Sequence, residues 1–166
     1  MIKEIDNKYY FEDALLTWKI LETIKACHDL EIRRVYRHAM VAGFEVDAVA
    51  ICKTSGGKER WIGFELKEAD FPKAFAQALL RRDFFDYFYV VIDLPVREVV
   101  NWILNHCKKG VEGIGFVSAY DDIIVLASKF KRRREMVEEV EANTILPVTQ
   151  IKLIEFLQNN RKRWKV

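Results

Sequence analysis

The fold is decided by residues 43–77, which have the sequence GFEVDAVAICKTSGGKERWIGFELKEADFPKAFAQ. Two apolar runs rich in β-branched residues flank a turn at Ser55–Lys58, and this pattern predicts a β-hairpin. Charged residues interrupt the strands where a buried sheet would have none: Asp47 in the first strand, and Glu65 and Lys67 in the second. Because an unpaired buried charge is costly, these three residues are expected to pair with one another or with a metal ion.

The register of this hairpin decides whether the charged side chains meet. Side chains alternate along a strand, so Glu65 and Lys67 project from the same face. With a two-residue turn, Asp47 would lie opposite Leu66. Only a loop with an odd number of residues, or a β-bulge, places Asp47 with Glu65, and we predict one of these two arrangements.

The rest of the chain alternates between helical and strand patterns. Apolar residues at helical spacing, without Pro or Gly, predict a helix over residues 11–28. The further expected elements are a strand at 31–41, the hairpin strands 44–53 and 60–67, a helix at 70–82, a strand at 87–92, a helix at 95–107, and short strands at 113–117 and 122–127. This order predicts the α/β class, with a mixed β-sheet flanked by helices.

Length and composition indicate one domain with its own core. The chain has 166 residues, of which 51% are hydrophobic. We expect a core domain over residues 1–130. Residues 131–166 are expected to form a helical, basic C-terminal extension that is not an independent domain.

Several function classes are disfavoured by what the sequence lacks. No apolar run is long enough to span a bilayer, and the charged N-terminal residues do not resemble a signal peptide. The three cysteines lie far apart and form no CxxC pair, which favours reduced thiols and a cytoplasmic location. We therefore expect no membrane association.

Charge is distributed unevenly along the chain. Residues 129–166 hold ten basic and five acidic residues, whereas the chain as a whole has a net charge of +2. A basic segment on a slightly acidic body suggests a polyanionic partner, although a solvated charged surface is an equally good interpretation. The residues predicted to contact phosphate groups of nucleic acid are Lys129, Lys131, Arg132, Arg133, Arg134, Arg161, Lys162 and Arg163.

The charged strand residues predict a site for a hard divalent cation. Two close carboxylates repel each other unless a cation lies between them, and Mg²⁺ prefers oxygen ligands. A metal-bound water has a lowered pKa, and an adjacent lysine can orient it. These groups suit in-line attack of water on a phosphodiester. Glu22, on a mostly apolar helix flank, is a candidate additional acid, and a boundary glutamate in solvent is the alternative.

These residues together resemble the PD-(D/E)xK nuclease superfamily, which includes restriction endonucleases and archaeal Holliday-junction resolvases. The matching motifs are Val46-Asp47, then Glu65-Leu66-Lys67, then Gln77 in the following helix, with the later run GIGF at 113–116. The resemblance covers roughly residues 12–128, and Val46 stands where the family pattern has a nominal proline. It implies a restriction-endonuclease-like core.

The resemblance also implies roles for individual residues. Asp47 and Glu65 would bind Mg²⁺ or Mn²⁺, with the carbonyl of Leu66 as a further ligand, and Lys67 would be the catalytic lysine. Gln77 would contact the substrate or a metal-bound water. Glu22 would be the acid that some members carry on the first helix, a role for which Glu12, Asp13 and Glu31 compete.

The expected function is therefore that of a metal-dependent deoxyribonuclease in DNA repair, recombination or defence, with RNA as an open alternative substrate. Cleavage of both strands would call for a homodimer. A second interpretation is an inactive nucleic-acid-binding or assembly module on the same fold, and a third is a subunit whose C-terminal helix binds a partner. In the simplest structural alternative, Asp47 and Lys67 form a salt bridge across strands and Glu65 is solvated at a sheet edge.

Overall fold

A computed structural model describes residues 12–134 and the backbone of residues 141–146. Within these residues the helices and strands occur in the order α1 (Trp18–His28), β1 (Leu30–Val41), β2 (Phe44–Thr54), β3 (Glu59–Lys67), α2 (Phe71–Arg81), a 3₁₀ turn (Arg82–Phe84), β4 (Tyr87–Ile92), α3 (Val96–His106), β5 (Gly115–Ser118), β6 (Ile123–Leu126) and β7 (Glu141–Leu146). None of the helices in the described part of the chain is long and apolar enough to cross a bilayer.

The strands form one mixed sheet in the order β6-β5-β4-β3-β2-β1-β7. β3, β4 and β5 are parallel to one another, and the other neighbouring pairs are antiparallel. Helices α2 and α3 make the crossovers that parallel neighbours require. The predicted α/β class, with a mixed sheet flanked by helices, is confirmed.

Apolar side chains on both faces of the sheet form two separate cores. On one face, α1 packs through Ile20 and Ile24 against strand residues that include Phe64. On the other face, α2 packs through Ala74 and Ala78 against β4 and β5. The sheet is therefore covered on both sides, and a charged side chain on β3 must be accommodated beneath a helix.

The β2–β3 hairpin has the predicted odd loop. Ser55, Gly56 and Gly57 form a three-residue loop, because the Thr54 N–H donates to the Lys58 carbonyl at 2.9 Å. Gly57 has a φ of 83°, a left-handed conformation that glycine adopts without strain. The loop shifts the strand pairing by one residue relative to a two-residue turn.

The resulting register places the acidic residues together. Ala48 pairs with Phe64, and continuing the same register puts Asp47 opposite Glu65. The predicted register is confirmed.

Two predicted boundaries differ from the structure. The helix expected from residue 11 has its continuous part from Trp18, because the Thr17 side chain accepts a hydrogen bond from the Ile20 N–H and caps the helix there. Residues 141–146, expected to be helical, instead form β7 and pair with the edge of β1. The amphipathic helix predicted after Pro147 lies outside the described residues.

Candidate active site

Asp47 and Glu65 lie side by side at the point where β2 leaves β3. The β2–β3 ladder stops at Ala48 and Phe64. Beyond it, the Leu66 N–H donates to the Asp47 Oδ2 atom at 2.8 Å, in place of a backbone carbonyl. The carboxyl group of Asp47 is also close enough to Glu65 to raise the pKa of Glu65. The structure thus brings together the two acids on which the predicted site depends.

Glu65 is the protonated member of this pair. Its side chain is 2% exposed, and this burial, followed by the charge and hydrogen bond of Asp47, raises the pKa of Glu65 to about 9. Arg81 and Lys67 oppose the shift without cancelling it, and the 3.5 Å from Arg81 Nε to Glu65 Oε1 is long for a strong ion pair. With a pKa of about 9, Glu65 keeps its proton at neutral pH.

Lys67 completes the group of three charged residues. It is half-buried at the end of β3, two residues after Glu65 and therefore on the same side of the strand. Its positive charge lowers the pKa of Glu65, which shows that the two side chains interact. The burial of Glu65 in an interior strand excludes the alternative in which that residue is solvated at a sheet edge.

Helix α2 covers the acidic pair and contributes Gln77 and Arg81. The Asp70 side chain caps the helix by accepting from the Lys73 N–H at 3.2 Å. Gln77 and Arg81 are four residues apart and so share a side of the helix. The Gln77 Oε1 atom is buried and accepts no hydrogen bond within the described residues. A buried acceptor without a donor is unfavourable by about 1–3 kcal/mol, so this oxygen suits a donor supplied by water or a ligand.

His38 distorts β1 beside Asp47, a feature that sequence patterns do not reveal. Its φ of 50° is left-handed, and the ladders to β2 and β7 both skip it. The ring Nε2 lies 3.2 Å from Asp13 Oδ2, and Nδ1 lies 3.1 Å from Glu45 Oε1. The hydrogen bond to Asp13 is the largest influence on the pKa of His38 and raises it, against the effect of burial. Because carboxylates only accept, both ring nitrogens are placed to carry protons.

Asp13 and Arg37 extend this charged network into the interior. Their side chains are 7% and 3% exposed, and Arg37 Nη1 lies 3.2 Å from Asp13 Oδ1. Burial lowers the pKa of Arg37, while the charges of Asp13 and Asp47 raise it. A guanidinium keeps its proton at any ordinary pH, so Arg37 is a fixed positive charge near Asp47.

Glu22 is not brought to this site. Its side chain is 42% exposed and lies 3.9 Å from Lys25. Helix α1 packs on the sheet face formed by residues such as Phe64, which is opposite to the face that carries Glu65. Asp13, one of the alternatives to Glu22 for this role, lies closer to the site. It contacts Arg37 and His38, which lie near Asp47.

The oxygen atoms at the site fit a hard divalent ion. Asp47 and Glu65 supply two carboxyl groups, and the Leu66 carbonyl faces the same way as its N–H, towards Asp47. In the described part of the chain no three His, Cys, Asp or Glu side chains are grouped as metal ligands. Mg²⁺ is commonly held by only one or two carboxylates together with water and phosphate, so the donor set is sufficient.

Two of the basic residues predicted to bind nucleic acid are held by acids of the chain itself. Lys131 Nζ lies 2.6 Å from Asp83 Oδ1, and Arg133 Nη1 lies 2.6 Å from the buried Asp86. These contacts lie near the start of β3, about 20 Å along that strand from Lys67. The structure therefore gives Lys131 and Arg133 an intramolecular role that net charge does not predict.

The other predicted basic residues divide into two groups. Lys129, Arg132 and Arg134 are exposed. Residues 161–163, which are Arg161, Lys162 and Arg163, lie outside the described residues. The basic segment is thus only partly available for phosphate contacts.

The site comprises the neighbouring acids Asp47 and Glu65, a lysine from the same strand, and a buried Gln77 oxygen on α2 that has no donor within the described part of the chain. These features are assembled by the β2–β3 register and by helix α2. Comparison of the chain with protein-family models, curated proteins and solved structures finds no match in any of the three.

Proposed function

We propose that this protein is a metal-dependent nuclease that hydrolyses DNA phosphodiester bonds at a PD-(D/E)xK-type site. The observation that carries the proposal is the buried Glu65 beside the half-buried Asp47, with Lys67 on the same strand. Two neighbouring carboxyl groups, one of them buried, are unfavourable unless something neutralises their charge. A divalent ion would do so for both groups, whereas the proton neutralises only one of them.

Asp47, Glu65 and the Leu66 carbonyl would hold Mg²⁺ or Mn²⁺. When bound, the ion would supply a Lewis acid for phosphate oxygens and a water of lowered pKa. Glu65 has to release its proton first, because only the ionised carboxyl binds a cation well. Arg81 and Lys67 assist this release, since their charges lower the pKa of Glu65.

Lys67 and Gln77 would act on the substrate and the attacking water. The Lys67 ammonium stabilises negative charge that develops on the phosphate in the transition state, and this effect is strong in a buried site. The Gln77 Oε1 atom, which has no donor among the described residues, would accept a hydrogen bond from the attacking water and so orient it. The buried Glu65 and the covering helix keep bulk solvent from the acidic pair.

The proposal is tested by cleavage of supercoiled plasmid, branched DNA and single-stranded RNA with Mg²⁺ or Mn²⁺. We expect Asp47→Asn to abolish cleavage and Lys67→Met to lower its rate about 100- to 1,000-fold. The control is Lys58→Met, because Lys58 is an exposed lysine directly after the hairpin loop. Failure of the wild type to cleave any substrate, or equal cleavage by Asp47→Asn, would contradict the proposal.

A second candidate function, a non-catalytic nucleic-acid-binding module, is favoured by the contact between Arg81 and Glu65. In the metal-free protein the proton and Arg81 together already compensate the charge of the acid pair. Titration of Mn²⁺ in a calorimeter separates the two candidates. Heat of binding in the wild type that is lost in Asp47→Asn supports the nuclease, and no heat in the wild type supports the module.

A further inference from the structure

Alternating arginine and phenylalanine side chains form a row that leads away from Glu65. The Arg81 Cζ atom lies 5.7 Å from the centroid of the Phe44 ring. The ring centroids of Phe44 and Phe84 are 6.2 Å apart, and the Arg134 Cζ atom lies 5.9 Å from the Phe84 centroid. We call Arg81, Phe44, Phe84 and Arg134 the arginine–phenylalanine row.

The row is joined directly to the acidic pair. Arg81 Nε lies 3.5 Å from Glu65 Oε1 and also donates to the Glu45 carbonyl at 3.1 Å. The Phe44 ring centroid is therefore no more than about 11 Å from the Glu65 carboxyl. A group bound on Phe44 would lie within one or two nucleotides of a phosphate at the acidic pair.

Phe44 is held in an exposed position by the tight turn that precedes it. Ala42 and Gly43 both have left-handed φ values, of 53° and 81°, as two-residue hairpin turns require. Phe44 follows at once and is 42% exposed. The ring is fixed by the turn and by its contacts with Arg81 and Phe84, so it offers a preformed surface.

We infer that the arginine–phenylalanine row binds unpaired nucleotides of the substrate. This inference rests on the proposed function and names its substrate class, namely single-stranded nucleic acid or the unpaired segment of a branched or frayed duplex. Bases would stack on Phe44 and Phe84, the exposed Arg134 would contact a phosphate, and the largely buried Arg81 would add positive charge at the other end of the row. Stacking needs a free base face, which a continuous duplex does not offer, and arginines at both ends of the row suit a polyanion.

The chain contains a matched control for this surface. Phe130 is 49% exposed, and the Arg60 Cζ atom lies 4.7 Å from its ring centroid. Phe130 packs beside Tyr87 at the start of β4, far along the sheet from Glu65. Replacing Phe130 removes an equally exposed aromatic–arginine pair that has no connection to the acidic pair.

The test is fluorescence anisotropy with a labelled single-stranded oligonucleotide and the duplex of the same sequence, without divalent ions. We expect Phe44→Leu to weaken binding of the single strand about 5- to 150-fold, the range for loss of one stacked base. Duplex binding should change much less. Phe44→Tyr, which keeps an aromatic ring, and the control Phe130→Leu should bind like the wild type. Arg134→Gln should reduce the salt dependence of binding by about one phosphate contact.

Four results would overturn the inference: single-strand binding by Phe44→Leu equal to the wild type, an equal loss in Phe130→Leu, an equal loss for duplex, or loss of binding by a Phe44→Tyr variant with the native Tm. Thermal unfolding establishes whether Phe44→Tyr has the native Tm. A correctly folded Phe44→Tyr variant that does not bind contradicts stacking on this ring. The assay involves no metal and no cleavage, so its outcome is separate from that of the nuclease test. If the wild type does not cleave but Phe44→Leu selectively loses single-strand binding, only the proposed catalysis is contradicted. If the wild type cleaves but Phe44→Leu binds the single strand normally, only the role of the arginine–phenylalanine row is contradicted.

Discussion

Metal binding at the acidic pair should release a proton, and raising the pH should strengthen it. Burial and Asp47 raise the pKa of Glu65 to about 9, so more than about nine-tenths of Glu65 is protonated near pH 7.5. A divalent ion has to displace that proton in order to use both carboxyl groups. We therefore expect about one proton released per ion bound, and about a tenfold gain in apparent affinity per pH unit between about pH 6 and pH 8.5.

The assay is calorimetric titration of Mn²⁺ in two buffers whose ionisation enthalpies differ widely. At one pH, the difference in observed heat between the buffers divided by the difference in ionisation enthalpy gives the number of protons released. Glu31→Gln is the control, because Glu31 is exposed and paired with Arg33 on β1, away from the acidic pair. An affinity that does not change with pH, or heats that do not depend on the buffer, would refute the linkage between metal and proton.

Four further substitutions test other parts of the structure by unfolding experiments. In the metal-free protein, the free energy of unfolding should fall as pH rises from 4.5 towards 9, because Glu65 ionises in the unfolded chain in this range but not in the folded chain. Glu65→Gln should reduce this slope by up to about 1.4 kcal/mol per pH unit. The raised pKa of His38 acts in the same direction above 6.5, so a shallower fall should remain in the variant. Asp86→Ala should lower stability by about 3 kcal/mol, since it leaves two backbone N–H groups and an arginine without their acceptor, whereas the exposed Asp83→Ala should lower it by less than about 1 kcal/mol. Gly57→Val should lower it by about 1–2 kcal/mol through left-handed strain, because a Cβ added at this position meets nothing within 4 Å. Equal effects of the two aspartate changes, or a pH slope unaffected by Glu65→Gln, would contradict these assignments in a denaturant titration.

Local patterns in the sequence were sufficient to predict the central hairpin and the positions of its acidic residues. Charged residues at alternate positions in otherwise apolar strands identified Glu65 and Lys67, and the requirement that Asp47 join them predicted the odd loop. These features depend on residues close together in the chain. The sheet order around them follows from the crossover helices, whose periodicity is also local.

Features that depend on distant residues could not be predicted in the same way. Helical periodicity placed Glu22 on a boundary flank but could not show that α1 covers the other face of the sheet. The left-handed conformation of His38 has no signature in the sequence, and its partner Asp13 lies 25 positions away. The prediction for the basic segment used only the charges within that segment. It could not include Asp86, which binds Arg133 from 47 positions earlier in the chain.

The loop at Ser55–Gly57 lies at the far end of the hairpin from Asp47 and Glu65, yet its length determines whether these two residues face each other. Removing or adding one residue there would turn one strand over relative to the other. Either the apolar residues of β2 or the acid at position 47 would then point the wrong way, unless a compensating bulge appeared. Evolution of this chain is therefore free to change the identity of these three residues more readily than their number, because an insertion here would separate Asp47 from Glu65 without altering either side chain.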